Sequence, residues 1–509
     1  MKDILDFTEN KLFWTTSDTE LVDFCREVFF IAEKYPEISA SIVKDQDALG
    51  MRKKTLRMRD KIYQADKTEN LPGIESSETQ PVVKHLSGGR PRMKPDLVLL
   101  FFCLRGYFGS VTDRQFRNRA KDSVTLNILF SNLGMKFPGF TTILENVNSL
   151  SPDTIDLIHR CYIHEIMNEN LDDFRDITVD STSVSASSEW PTDARIICRM
   201  LERVFLFGRK LENFGIKNIQ EFYFPAWMNE LKRLLFKINT VKGTKKQPKA
   251  EKLQKLYDNY LVTAHKAYEY LVRNFETRSA RMKLLDLSPS FREKLEKVHK
   301  VMEDDLLALS SVLYYSEERV FNGVELKSTE KILSLSDTAA AFIKKGDRNV
   351  VIGYKPQLAM SSNGFVSALV LEEGNVSDSK SLMPLVRKHM ATSGVLPKSV
   401  SADDGYSSTP GYEAVLEIGV EKLSLSGAVG KKITPVELWE DESYIEMRKQ
   451  RSAVESLMFT LKYVFEFGRM RRRGLKNVRS EMMGKLIAYN MVKALRIRAT
   501  SSEAYLKAG

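Results

Sequence analysis

Two short strand patterns in this chain each end in an aspartate, and a long segment with helical patterning separates them. Ile177 and Val179 alternate with polar residues up to Asp180. A second strand pattern runs from Ser399 to Asp403. Because sites in open α/β sheets form at the carboxyl ends of the strands, we expect the two aspartates at one edge of a shared sheet.

Further patterns complete a mixed α/β core at residues 171–193 and 331–498. Apolar runs flank Ser362-Asn363-Gly364, and Asn-Gly between two such runs predicts a hairpin. Residues 194–330 carry long helical patterns, which predicts a mainly helical insertion between the two aspartates. The other predictions for the core are hairpin strands at 350–360 and 365–372, helices at 378–391, 441–466 and 478–498, and a strand at 423–426.

The chain before the first aspartate has a helical texture with one interruption. Residues 1–65 are predicted to be helical, and residues 66–94 are polar and rich in Ser, Gly and Pro, which indicates a linker. Residues 95–170 contain short helices joined by tight turns. That arrangement is typical of a helix-turn-helix DNA-binding domain, and a plain helical subdomain is the alternative. The short helices are predicted at 97–107, 112–120 and 141–150.

The charge balance favours a polyanionic partner. The chain has 77 Lys and Arg against 67 Asp and Glu, a net charge of +10, and basic side chains placed on phosphates release condensed counterions. The histidines and cysteines have no zinc-like spacing, so we expect no zinc site and four buried, reduced thiols. The acidic N-terminus and short apolar runs predict a cytoplasmic protein without a signal peptide or membrane segment.

Carboxylates at the edge of a sheet suit Mg²⁺. Hard divalent ions prefer oxygen ligands and keep several waters, so few carboxylates suffice. Two such ions about 4 Å apart can activate an attacking oxygen and stabilise the leaving oxygen in phosphoryl transfer. Asp404 competes with Asp403 for this position. Adjacent strand residues face opposite sides, so only one of them can join the site, and the motif register favours Asp403.

The helix predicted at 441–466 carries a third carboxylate between two cations. Arg451, Glu455 and Lys462 are spaced four and seven residues apart, so at about 3.6 residues per turn they share one face. A glutamate flanked by two cations suits a site that holds metal and DNA phosphate together. An ordinary salt-bridged helix surface is the alternative.

Four motifs follow one another along the chain. They are VDSTSV with EWPTDARII, then FIKKGDRNVVIGYKPQLAMSSNGFVSALVLEEGNVSD, then ADDGYSS, and finally Arg451, Glu455 and Lys462. In this order they resemble the motifs of insertion-sequence DDE transposases with a Tyr-Arg-Glu-Lys signature, over about Gly88 to Lys493. The resemblance implies an RNase H-like mixed-sheet core interrupted by a mainly helical insertion, with helical DNA-binding segments before it.

The resemblance also implies roles for individual residues. Asp180, Asp403 and Glu455 would be the catalytic residues and would hold two Mg²⁺ ions, for which Mn²⁺ can substitute. Arg451 and Lys462 would contact DNA phosphates near the scissile bond.

One position departs from the signature. Arg448 stands where the family has its tyrosine; Tyr444, one turn earlier, is the alternative residue for that role. We therefore place Arg448 among the DNA-binding candidates.

Two arginine-rich segments are further candidates for DNA contact. Arg90 and Arg92, in Gly-Arg-Pro-Arg, could insert into a minor groove, or the segment could be a hinge. The segment that follows the catalytic helix could contact phosphates or form a solvated turn; its arginines are Arg469, Arg471, Arg472 and Arg473.

The function implied by the resemblance is transposition in a prokaryotic, nucleoid-associated setting. The protein would bind the terminal inverted repeats of its element and the target DNA as a homodimer on double-stranded DNA. It would cleave at the element ends and join the 3′-hydroxyls to target DNA. The alternatives are a catalytically silent DNA-binding descendant and an RNase H-like nuclease that does not join.

Overall fold

The computed structural model describes residues 18–69, 92–109, 111–187, 192–212, 216, 223–242, 248–324, 334, 337, 339–344, 350–451 and 453–508. The chain divides into two compact units. The sheet unit comprises Met1–Leu49, Gly88–Ser187 and Ala339–Gly509, and the helical unit comprises Gly50–Ser87 and Ser188–Thr338. The described helices within 95–170 belong to the sheet unit. Their predicted role in DNA binding stays a prediction. Residues 70–91 of the predicted linker lie outside the described part of the chain.

Seven helices precede the first strand in the described residues. The local chemistry explains the starts of two of these helices. The Thr112 hydroxyl accepts from the Gln115 N–H while the Gln115 side chain accepts from the Thr112 N–H, a reciprocal cap. Pro95 occupies the first turn of its helix, where its missing N–H has no cost. The helices are α1 (Thr19–Lys34), α2 (Pro36–Glu69), α3 (Pro95–Tyr107), α4 (Asp113–Asp122), α5 (Val124–Asn132), α6 (Phe140–Ser149) and α7 (Pro152–Asn168).

A five-stranded mixed sheet forms the centre of the sheet unit. Its order is β6-β5-β1-β7-β8, with β1 antiparallel to β5 and parallel to β7. The sheet is built from β1 (Asp176–Ser181), β5 (Gln357–Ser361), β6 (Val366–Val370), β7 (Ser399–Ala402) and β8 (Lys422–Leu425). One face is covered by α12 (Asp378–Ser393) and α13 (Thr409–Glu417), which bury an apolar core against it.

A smaller sheet shows that one predicted strand was wrong. The segment 350–360, predicted as one strand, forms two strands that belong to different sheets. The strand conformation is interrupted at Lys355-Pro356. Proline has no N–H for a strand ladder and restricts the residue before it. The second sheet has the order β2-β4-β3 and consists of β2 (Val184–Ser185), β3 (Ala341–Ile343) and β4 (Val351–Tyr354). The hairpin at Asn363-Gly364 is confirmed by β5 and β6.

The single helix predicted at 441–466 was also wrong. The structure has two helices there, α16 (Glu442–Gln450) and α17 (Ala453–Tyr463). Neither Gly nor Pro lies between 447 and 455, so the sequence carries no breaker that would predict the interruption. The last helix, α18 (Leu475–Ala508), is longer than predicted and packs against α3 and α7. Two short helices precede this region, α14 (Gly427–Ile433) and α15 (Val436–Trp439).

The described residues between 194 and 324 are mainly helical. Long helices pack around a core in which Tyr260 and Phe224 are almost completely buried. They are α8 (Asp193–Glu212), α9 (Phe224–Thr240), α10 (Lys249–Leu284) and α11 (Pro289–Phe321). Asp193, in the first turn of α8, forms an ion pair with Arg319 of α11 at 2.7 Å.

Two expectations from composition can be compared with the structure. All four cysteines are free and buried, as expected. Among the described helices, none combines the length and the apolar character that a bilayer crossing requires.

Candidate functional site

The register of two parallel strands brings Asp180 and Asp403 together. Val179 of β1 lies opposite Ala402 of β7. The residue that follows each of them, Asp180 or Asp403, lies at the carboxyl end of its strand. Neighbouring strands lie about 4.8 Å apart. Val179 and Ala402 face the buried core, so strand alternation directs both aspartates to the opposite face. Each of the two is half-buried.

Asp404 has a separate structural role. Its Oδ1 accepts hydrogen bonds from the backbone N–H groups of Val429 at 3.0 Å and Gly430 at 2.9 Å, in the first turn of α14. Asp403 instead stays in extended backbone and accepts from the Gly405 N–H at 3.0 Å. Of the two adjacent aspartates, Asp403 is therefore the one beside Asp180.

A buried polar network lies under this edge of the sheet. The Lys355 ammonium is 2.9 Å from Asp378 Oδ1, and the Gln357 amide donates to the same oxygen at 2.7 Å. The Tyr406 hydroxyl donates to Gln357 Oε1. Burial raises the pKa of Tyr406 well above its usual value, and the charges of Asp378, Asp180 and Asp403 raise it further. Tyr406 therefore stays protonated as a donor.

Gly405 lies between the carboxylates of Asp378 and Asp403. A Cβ at this position would lie 3.1 Å from Asp378 Oδ2 and 3.1 Å from Asp403 Oδ1. Asp378 is the last residue of the Gly-Asn-Val-Ser-Asp motif, but neither Asp378 nor Lys355 was among the predicted site residues. The motif could have directed attention to Asp378, whereas the pairing with Lys355 depends on the three-dimensional fold.

Glu455 is not brought to the two aspartates. It lies in the first turn of α17 and is exposed. Within the described ranges, no group of three or more His, Cys, Asp or Glu side chains is arranged to hold a metal ion. The structure thus assembles two of the three predicted metal ligands, and the third remains on a separate helix.

The two cations predicted to flank Glu455 do not lie on one helix. Arg451 is half-buried and directly follows the last residue of α16, whereas Lys462 lies in the last turn of α17. The shared face of one continuous helix is therefore replaced by two segments. Glu455 and Lys462, seven residues apart on α17, still share a face.

Neither Arg448 nor Tyr444 places an exposed phenol at the position of the signature tyrosine: Arg448 has no phenol, and the ring of Tyr444 is buried. The Arg448 guanidinium stacks on the Trp439 ring, 4.1 Å from its centroid, and donates to the Trp439 carbonyl oxygen at 2.5 Å. Tyr444 is buried against β8. Both residues contribute to the packing of α16.

The arginine-rich turn after α17 is fixed by α18. The buried Lys485 ammonium donates to the carbonyl oxygens of Glu466 at 2.9 Å and Arg469 at 3.3 Å. Glu481, paired with Lys485 at 3.4 Å, accepts from the Arg471 and Arg472 N–H groups. The backbone of the turn is therefore held in one arrangement.

The arginine side chains of this turn differ in their surroundings. Arg469 and Arg473 are exposed, and Arg471 is half-buried. The Arg472 guanidinium donates to Ser480 and Asn148, and burial lowers its pKa to about 10. The structure thus gives Arg472 hydrogen-bond partners within the protein, and its phosphate contact stays a prediction.

The earlier arginine segment is described only in part. Arg92 is exposed and forms an ion pair with Asp47. Arg90 lies outside the described residues.

Comparison with protein families adds a finding about the second half of the chain. Residues 333–491 match the family model of the transposase DDE domain. This part of the chain is similar to a transposase DDE domain. The resemblance to insertion-sequence DDE transposases is thereby supported. Comparisons with curated proteins and with solved structures found no match.

The span that matches the family model includes two of the three predicted metal ligands. Asp403 and Glu455 lie inside the matched span, whereas Asp180 precedes it. The assignment of Asp180 therefore depends on its register with Asp403. Transposases of this class generally use divalent metal ions, and carboxylate oxygens such as these are ligands that suit such ions.

Proposed function

We propose that this protein is a DNA transposase that binds the terminal inverted repeats of its element, cleaves at the element ends and joins the 3′-hydroxyls to target DNA. The observation that carries the proposal is the pair Asp180 and Asp403, in register at the carboxyl ends of two parallel strands, with Asp403 inside a DDE domain. We also infer that the sheet is an RNase H-like core. Its five mixed strands with β5 antiparallel support this inference.

The donor set fits magnesium. Asp180 and Asp403 supply hard oxygen ligands on one face of the sheet, and Glu455 would complete the set when DNA is bound. Two Mg²⁺ ions held there would supply Lewis-acid stabilisation and an activated attacking oxygen. The same site would serve cleavage and joining.

The surrounding residues position this site. The hydrogen bonds from Tyr406 to Gln357 and from Gln357 to Asp378 hold the turn that carries Asp403. The Lys355 ammonium pairs with Asp378, whose carboxylate lies beside Asp403 at Gly405. These residues would keep Asp403 in place as charge accumulates in the site.

Basic residues near the DDE helix would bind the DNA backbone. Arg451 and Lys462 would neutralise phosphates near the scissile bond, and the exposed Arg469 and Arg473 would extend the contact. Two ends must be cut in one complex, so the active form would be a homodimer on DNA.

The test is a Mg²⁺-dependent cleavage and joining assay on DNA that carries the inverted repeats flanking the gene. We expect Asp180→Ala, Asp403→Ala and Glu455→Ala each to lower cleavage and joining by about 1,000-fold or more while repeat binding is retained. Asp404→Ala is the matched control. This variant removes the neighbouring carboxylate, which caps the first turn of α14. Loss of a helix cap lowers stability and does not remove a metal ligand, so cleavage should stay within about threefold of the wild-type rate.

Three outcomes would contradict the proposal. Normal cutting by the three carboxylate variants would move the metal site elsewhere. Repeat binding by the wild type without any cleavage would favour a silent DNA-binding protein. Cleavage without joining would favour a nuclease.

A further inference from the structure

Helix α2 carries a line of exposed apolar side chains within the helical unit. Met51, Met58 and Ile62 are between 52% and 69% exposed. At about 100° per residue, the three side chains fall within an arc of about 40°. Single exposed apolar residues need no explanation, but several in one line mark an interaction surface. We call these three residues the α2 stripe.

Contacts on the other side of α2 hold this helix against α11 and leave the stripe uncovered. Asp60, about 180° around the helix from Met51, accepts a hydrogen bond from the Ser290 N–H at 2.8 Å. The Arg52 guanidinium forms an ion pair with Glu293 at 2.7 Å. Both partners lie near the start of α11. The stripe therefore faces away from the helix on which α2 packs.

Helix α11 carries a second exposed line in the same unit. Leu307, Tyr314 and Phe321 follow one another at seven-residue intervals and are 65%, 66% and 39% exposed. They also fall within an arc of about 40°. Leu309 and Val312 of this helix are buried and belong to the core of the unit. We call Leu307, Tyr314 and Phe321 the α11 stripe.

The two stripes have borders of opposite charge. Exposed cations border the α2 stripe: Lys54, Arg59 and Lys61. Acidic side chains border the α11 stripe: Glu303, Asp304, Glu317 and Glu318. Lys300 is the one cation among these acidic residues, and it pairs with Glu303 and Asp304. The surroundings of the α2 stripe are thus basic, and those of the α11 stripe are acidic.

Each stripe has the properties that the other requires in a partner. They share a seven-residue spacing, which is typical of helices that pack side by side, and they extend about 17 Å and 21 Å along their helices. Double-stranded DNA would pair with the cations beside the α2 stripe but would leave Met51 and Met58 in water, and it would be repelled by the acidic border on α11. The charge and the apolar area together favour protein.

We propose that the α2 stripe of one copy of this chain packs against the α11 stripe of a second copy. A two-fold axis makes the same contact twice, so that neither copy keeps an uncovered stripe. The inference goes beyond the proposed function, because this association requires neither DNA nor metal.

The experiment is sedimentation velocity of the full-length protein without DNA, over a series of protein concentrations. We expect the wild type to form a dimer. One variant, Lys54→Glu/Arg59→Glu, reverses the sign of the charge beside the α2 stripe. The other, Glu303→Lys/Glu318→Lys, reverses it beside the α11 stripe. Each variant alone should raise the dissociation constant of the dimer by about tenfold or more, because like charges then face each other.

A mixture of the two variants is the decisive sample. In a mixed dimer both α2–α11 contacts again join borders of opposite charge. We expect the mixed dimer to form with a dissociation constant within about threefold of the wild-type value. A folding defect in either variant would not produce this recovery.

The matched control reverses two exposed cations elsewhere in the helical unit. Lys237→Glu/Lys266→Glu would lie next to His265, which contacts Glu317, so Lys237→Glu/Lys255→Glu is the better choice. This control changes the net charge as much as the α2 variant does and should leave self-association unchanged.

Three results would overturn the inference. One is a wild type that stays monomeric at every concentration. Another is wild-type self-association that neither charge-reversed variant weakens, which would place the interface elsewhere. The third is a pair of variants that fail alone and also fail when mixed. If the wild type is monomeric and the α2 variant instead loses binding to repeat DNA, the cations of α2 contact DNA and the inference is wrong.

Discussion

The sheet edge and helix α17 supply the predicted metal ligands in two different ways. Asp180 and Asp403 are placed by hydrogen-bonded strand register, and a buried network lies beneath them. Glu455 is exposed on a short helix bounded by breaks in regular structure. Register leaves two strand ends almost no freedom, whereas a helix can shift as a body. Two ligands are thus preorganised, and in our account DNA binding adds the third.

The largest expected effect on stability tests the network at the sheet edge. Lys355 and Asp378 are each only 13% exposed, so Asp378→Ala leaves a largely buried ammonium without its partner. We expect the free energy of unfolding, from urea denaturation, to fall by about 3 kcal/mol. The double variant Lys355→Met/Asp378→Ala should recover most of that loss.

Glu455→Gln, on helix α17, is the matched control for the variant at the sheet edge. Because Glu455 is exposed, this variant should change stability by less than about 0.5 kcal/mol. A loss from Asp378→Ala that is no larger than this would remove the distinction between the two regions.

A second prediction concerns acid and the buried histidines beside β6. His159 Nε2 lies 2.9 Å from the Val366 carbonyl oxygen, and His389 Nδ1 lies 2.7 Å from the Ser367 hydroxyl. Burial lowers the pKa of each from about 6.5 to about 4. Below pH 6.5 the unfolded chain binds protons that the folded chain does not. Stability therefore falls as the pH drops from about 6.5 to 4.

The measurement is urea denaturation across this pH window. Each histidine should contribute about 3 kcal/mol of the acid-induced loss, so His389→Asn should reduce the pH dependence by about that amount. His265, 41% exposed and paired with Glu317, is the control: His265→Gln should leave the pH dependence of the sheet unit unchanged. An unaltered pH dependence in His389→Asn would show that the pKa of His389 does not differ between the folded and the unfolded protein.

The sequence was sufficient to predict the sheet edge. Alternation up to Asp180 and Asp403 identified both strand ends, since period-two patterning is local. The turn at Asn363-Gly364 was readable because Gly364 adopts φ +79°, a conformation that favours glycine. Both signals are contained in a few neighbouring residues.

Other features depend on contacts between residues far apart in the chain. Arg472 differs from the exposed Arg473 because Asn148, more than three hundred positions away, accepts from its guanidinium. Asp378 lies beside Asp403 at Gly405 only because α12 packs on the sheet. The break between α16 and α17 has no Gly or Pro to indicate it, whereas Pro356 could have indicated the change of sheet between β4 and β5.

The most direct test of the preorganised pair is Mn²⁺ binding without DNA, followed by electron paramagnetic resonance. The account predicts that Asp180→Ala and Asp403→Ala each weaken Mn²⁺ binding by about tenfold or more. Glu455→Ala should bind as tightly as the wild type until repeat DNA is added. Equal weakening by all three variants in the absence of DNA would contradict the account, because Glu455 would then already belong to the free protein's metal site.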